Sequence, residues 1–235
     1  MTGRDRQPVR GVARASDGIA VRARGVGRRP SAVAMAAFGD DVAAVVRHLG
    51  LGEVVLIGHS MGGDVIVEAA RRLPGRVAGL VWVDVYGSLG GTLRDESAVA
   101  RFVAPFHADF VSATRDFVRP MFAPGTSTDL AEWVAADMSA APPHVALEAI
   151  RHAVSNEAAA TAGLRELALP AVAINPDDGQ TDVEALRRHG VRTVLMPGVG
   201  HFPMMEDPEA FNRLLDKAVE GLGGGFRMLR APDAL

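Results

Sequence analysis

The chain of 235 residues contains no cysteine, one lysine (Lys217) and one tyrosine, and aromatic residues make up only 5% of it. Without cysteine there are no disulfides, no thiol nucleophile and no thiolate metal site, so the fold must be held by packing. Also missing is any apolar run near the ~18 residues that a membrane span needs. Neither sign of charge dominates: 25 basic residues face 28 acidic ones, a formal charge of -3. That balance offers no electrostatic footprint for nucleic acid or anionic lipid. Eight arginines precede residue 30, but no apolar h-region follows them, so this stretch reads as a solvated terminus rather than a targeting signal. From these absences we expect a soluble, cytoplasmic protein with no metal or cofactor and no nucleic-acid or membrane partner.

What is present alternates strand and helix. Val54-Val55-Leu56-Ile57, residues 79–85, Ala171-Val172-Ala173-Ile174 and Val191–Met196 are short apolar runs of β-branched character, as strands buried on both faces require. Between and around them lie helical patterns. Phe38, Val42, Val45, Val46 and Leu49 share one helical face, with Asp40 and Asp41 expected in its first turn and Gly50 as its stop. A second helix is predicted from about Met61 to Leu73, a third over 182–189, and a last one capped by Asp207-Pro208 with Phe211, Leu214, Leu215 and Ala218 on its apolar face. Residues 17–24 suggest a short strand or hairpin. The expected fold is α/β, a mostly parallel sheet with helices on both faces. Residues 1–87 and 166–221 form its core, 88–165 a helical insertion punctuated by Pro120, Pro124, Pro142 and Pro143, and 222–235 a flexible tail.

One motif carries chemistry. Gly58-His59-Ser60-Met61-Gly62 fits G-x-S-x-G between an apolar strand and an amphipathic helix, the setting of a nucleophile elbow. Ser60 would project at the carboxyl end of the sheet, and the Met61 backbone N–H would donate to an oxyanion. A serine hydroxyl needs a base, and the base needs an orienting group. Of seven histidines, His201 alone follows the last strand directly, in the loop Gly198-Val199-Gly200-His201-Phe202. His59 is expected to point away from the nucleophile as a packing or hydrogen-bonding residue, and His107 and His144 lie in the insertion. For the acid, Asp177 and Asp178 after the third strand and Asp84 after the second all remain open, while Asp182 reads as a helix cap.

Gly-His-Ser-Met-Gly-Gly, the Asn175-Pro176-Asp177 turn and Gly-Val-Gly-His-Phe-Pro-Met-Met-Glu-Asp-Pro together resemble the small microbial α/β-hydrolases with a helical cap, over roughly residues 36–221. The resemblance implies an Ile-Asn-x-Asp acid, which favours Asp177 over Asp178. It also implies hydrolysis of a small apolar ester through an acyl-enzyme on Ser60, with a lactonase, a cofactor-free perhydrolase or an impaired ligand-binding homologue as alternatives. Relatives carry an apolar strand and a His-Gly loop before the nucleophile strand. No such pair occurs here before residue 37, so the sheet is expected to be abbreviated, one oxyanion donor to be lacking and a homo-oligomer to cover the exposed edge. Phe102, Phe106, Phe110, Met121, Phe122, Trp133 and Met138 supply apolar surface in the insertion, mostly for its own core and partly for the pocket.

Overall fold

Four apolar runs pair into one parallel sheet: β1 (Val54–His59), β2 (Val77–Val83), β3 (Ala171–Pro176) and β4 (Val191–Met196), in the order β1-β2-β3-β4. This is a computed structural model, and the structure describes residues 35–85, 96–155 and 157–222. The hairpin expected at 17–24 and most of the tail expected from residue 222 lie outside the described residues.

Alternate side chains of the two central strands serve two cores, as the two-residue period of a strand requires. Leu80, Trp82, Ala171 and Ala173 join one cluster with the helices α1 (Met35–His48) and α2 (Gly62–Arg71). Val81, Val83, Val172 and Ile174 join the other, beneath the C-terminal helix. Among the described residues β1 has a strand neighbour on one side only, and Ile57 on it is 40% exposed.

The buried face of α1 differs from the expected one. Met35, Gly39, Ala43 and Val46 are buried, whereas Leu49 is exposed and Phe38, Val42 and Val45 are only half-buried. Close approach of two helix backbones is the reason. A Cβ at Gly39 would come within 2.7 Å of Glu68 Cβ and 2.9 Å of the Ala69 nitrogen. Small residues, not large apolar ones, therefore form this contact. Because the helix is already formed at Met35, Asp40 and Asp41 lie beyond its first turn.

Between β2 and β3 run α3 (Glu96–Ala108), α4 (Phe110–Val118), a 3-10 turn (Arg119–Met121), α5 (Thr128–Ser139), α6 (Pro143–Ser155) and α7 (Glu157–Leu167). Phe102, Phe106 and Phe117 meet edge-on or tilted in a core of their own. The expected boundary at 165 falls inside α7, whose Leu164 is buried in the first sheet core and whose Gly163 lies against Val67 on α2.

After β3, α8 (Val183–Arg188) is capped by Asp182, whose side chain accepts from the Ala185 N–H. After β4 come the one-turn α9 (Pro203–Glu206) and α10 (Pro208–Glu220). Asp207 Oδ1 accepts from the Ala210 N–H, Pro208 occupies the first turn where its missing N–H costs nothing, and Phe211, Leu215 and Ala218 are buried. Among the described residues no helix is long and apolar enough to cross a membrane.

Candidate active site

The turn after β1 is tight for a steric reason. A Cβ at Gly58 would sit 2.2 Å from the Gly62 carbonyl oxygen, and one at Gly63 would sit 2.3 Å from Val85 Cγ1. Gly62, by contrast, has nothing within 4 Å of the position a Cβ would take. The close contacts therefore fall on Gly58 and Gly63, and the second glycine of G-x-S-x-G is not part of the packing. Between them Ser60 takes φ +51°, a left-handed conformation that costs a side-chain-bearing residue of order 1–3 kcal/mol and is held by its surroundings. Its N–H donates to the Val83 carbonyl at 3.1 Å, tying the turn to β2, and its carbonyl accepts from Gly63 N–H at 2.9 Å. Met61 precedes the first residue of α2, so its N–H points out of the helix N-terminus, where the helix dipole favours negative charge.

His201 lies beyond β4, at the same carboxyl end of the sheet. Its Nδ1 is 2.6 Å from Asp84 Oδ2, and both side chains are largely sheltered, at 20% and 25% exposure. A carboxylate accepts only, so the shared proton sits on Nδ1 and leaves Nε2 with its lone pair.

The acid bonded to this imidazole is thus Asp84 and not Asp177, the residue expected from the Asn-Pro-Asp turn. Asp84 follows β2, the strand next to the one that leads into Ser60, and Asp177 follows β3, the strand next to β4, so both leave the same end of the sheet and adjacency does not choose between them. Asp84 also takes φ +44°, which turns the chain off the strand line at the point where its carboxylate meets the imidazole. Asp177 donates its backbone N–H to the Met196 carbonyl, and Asp178 caps its own loop through bonds from Gln180.

The backbone of His201 is gripped on both sides. Its N–H donates to the Met121 carbonyl in the insertion at 2.7 Å. Its carbonyl lies 2.6 Å from His59 Nε2, which must carry the proton. His59 is packed between the rings of His201 and Phe202, and its pKa is lowered from 6.5 to about 4, chiefly by burial and next by the nearby His201, against the pull of that hydrogen bond and of Asp84. His59 is neutral at pH 7. It is the hydrogen-bonding residue expected, and its partner is the His201 carbonyl.

Glu206 is a site residue to which the sequence assigned no role. It sits five residues after His201 and accepts hydrogen bonds from both the His201 loop and the insertion. Its signal was its presence in the Gly-His-Phe-Pro-Met-Met-Glu run.

A cavity of about 500 Å³ opens beside His201. Met121, Phe122 and Val199 give it apolar wall, while Asp84, Asp177 and Asp178 make it mixed rather than apolar. Of the apolar residues expected to serve the pocket, Met121 and Phe122 line it; Phe102, Phe106 and Phe110 pack in the insertion core, and Trp133 is half exposed. His107 and His144 are exposed on their helices. Among the described residues no group of three or more His, Asp or Glu is arranged to hold a metal ion.

Known proteins agree with this architecture. The sequence profile of the alpha/beta hydrolase family matches residues 7–214, starting well before the stretch from 36 that carries the resemblance above. A Haemophilus influenzae protein named for esterase or lipase activity is 46% identical over 46 residues, which are 20% of this chain and 16% of that protein. Among solved structures, a thermophilic esterase from Thermogutta terrifontis superposes with a TM-score of 0.66 at 24% identity, covering 80% of this chain and 73% of the other. An enzyme that degrades N-acyl homoserine lactones superposes with a TM-score of 0.65 at 22% identity, covering 83% and 79%. With a parallel sheet, a strained serine on a strand-to-helix turn and a match over most of its length, the chain belongs to the alpha/beta hydrolase family.

Proposed function

We propose that this chain is a serine hydrolase that cleaves small carboxylic esters through an acyl-enzyme on Ser60. The observation that carries the reading is a His201 imidazole held at Nδ1 by Asp84 at the same end of the sheet as Ser60 on its strained turn. In the reaction, His201 Nε2 takes the hydroxyl proton as Ser60 Oγ attacks the ester carbonyl. The Met61 N–H donates to the oxyanion, and protonated His201 then delivers its proton to the departing alcohol. Water, deprotonated by the same nitrogen, cleaves the acyl-enzyme and returns Ser60. Asp84 keeps the proton on Nδ1 and stabilises the imidazolium.

Steady-state hydrolysis of p-nitrophenyl acetate and butyrate by Asp84→Asn and Asp177→Asn variants tests the assignment. An amide at 84 offers Nδ1 the wrong tautomer, and kcat should fall by about 10³–10⁴-fold. An amide at 177 should change kcat by less than about threefold, as expected for a residue outside the reacting geometry. The opposite pattern would return the acid to Asp177.

A lactone is a cyclic ester open to the same attack, and the fold shared with the lactone-degrading enzyme favours including lactones in the substrate panel. A homo-oligomer is a second part of the proposal, supported by β1 having one strand neighbour among the described residues.

A further inference from the structure

The loop that carries His201 contains little regular structure, yet its side chain must meet Ser60 with an error well below 1 Å. Asp84 fixes the ring and His59 the carbonyl. The His201 N–H is held by the Met121 carbonyl. The amides on either side of it are held by one carboxylate. Glu206 Oε1 accepts from Gly200 N–H at 2.9 Å and Phe202 N–H at 3.3 Å, the residues on either side of the base. Oε2 accepts from Ala123 N–H at 2.9 Å and Thr126 Oγ1 at 2.7 Å, both in the insertion. One side chain thus takes four donors, two from each segment. The two segments also touch directly: a Cβ at Gly200 would lie 2.2 Å from the Met121 carbonyl oxygen. Bonds to a charged acceptor are shorter and stronger than neutral ones, and a carboxylate has lone pairs for all four donors.

We infer that Glu206 is a positioning residue that joins the insertion to the His201 loop and, through the Gly200 and Phe202 amides, holds the base in line with Ser60. The inference rests on the serine-hydrolase reading. Glutamine at 206 has one acceptor oxygen, so whichever way its amide turns, one pair of donors faces an NH2 group.

The test combines kinetics on p-nitrophenyl butyrate with amide hydrogen exchange. In Glu206→Gln, kcat should fall about 10-fold or more with KM within about twofold, because misalignment of a catalytic group costs turnover rather than binding. In the wild-type chain the Gly200, Phe202 and Ala123 amides should be protected from exchange, a measurement that holds even if Glu206→Gln does not fold. Wild-type kcat in Glu206→Gln, or free exchange of these amides in the wild type, would each overturn the inference. A wild-type chain without ester turnover would instead defeat the serine-hydrolase reading and take the catalytic half of this inference with it.

Discussion

Acidification should weaken this fold through His59, and the size of the effect follows from its surroundings. The ring is desolvated between His201 and Phe202, and its pKa falls from 6.5 to about 4. Between those values the unfolded chain binds a proton that the folded chain refuses. Stability from this residue is therefore complete above about pH 6.5, is lost as the pH drops, and stops falling below about pH 4. Each tenfold change in proton affinity is worth about 1.4 kcal/mol, so the loss is about 2 kcal/mol at pH 5 and about 3 kcal/mol at pH 4. Carboxylates titrate in the same range, and a difference measurement removes them. Urea unfolding of the wild type and of His59→Gln can be followed by fluorescence, since Trp82 is buried and Trp133 half exposed. The variant should be less stable at pH 7, where it lacks the grip on the His201 carbonyl. The gap should close or reverse by about 3 kcal/mol on going to pH 4. A gap constant to within about 0.5 kcal/mol across that range would refute the neutral, buried state of His59.

Three further outcomes follow from the packing and the helix caps. Gly63→Ala should destabilise by about 1–3 kcal/mol, less up to ~1 kcal/mol regained in helix propensity, because its Cβ would collide with Val85; adding Val85→Ala should recover part of the loss in urea unfolding. Gly62→Ala, which meets open space, should leave unfolding unchanged or slightly improved. Asp207→Ala should cost about 1 kcal/mol, the usual loss for an N-cap, read as a lower unfolding midpoint at unchanged slope.

The strands were legible as short runs rich in β-branched residues: β2 and β3 are almost wholly buried, and Val191–Met196 matches its expected bounds residue for residue although Arg192 and Leu195 on it are exposed. Ser60 and His201 were legible because each follows such a strand at its carboxyl end. Two features were not. The inner face of α1 turns toward Gly39 and Ala43 while keeping Val46, with Val42 packed at its edge, so a search for large apolar residues finds a face rotated from the true one. The acid was ambiguous because three aspartates leave the proper sheet end. The hydrogen bond that selects Asp84 goes with a backbone bend there that spacing along the chain does not encode. Glu206 gathers donors from residues about 80 positions apart in sequence, a relation visible only once the insertion has packed on the loop.

The central claim is that Ser60 is an activated nucleophile. Incubating the purified chain with a fluorophosphonate probe at pH 7.5 and measuring intact mass, with the labelled peptide sequenced, tests it most directly. The account predicts one phosphonyl adduct on the peptide containing Ser60, and none in Ser60→Ala. An unlabelled wild type, or an adduct of equal yield in Ser60→Ala, would contradict it.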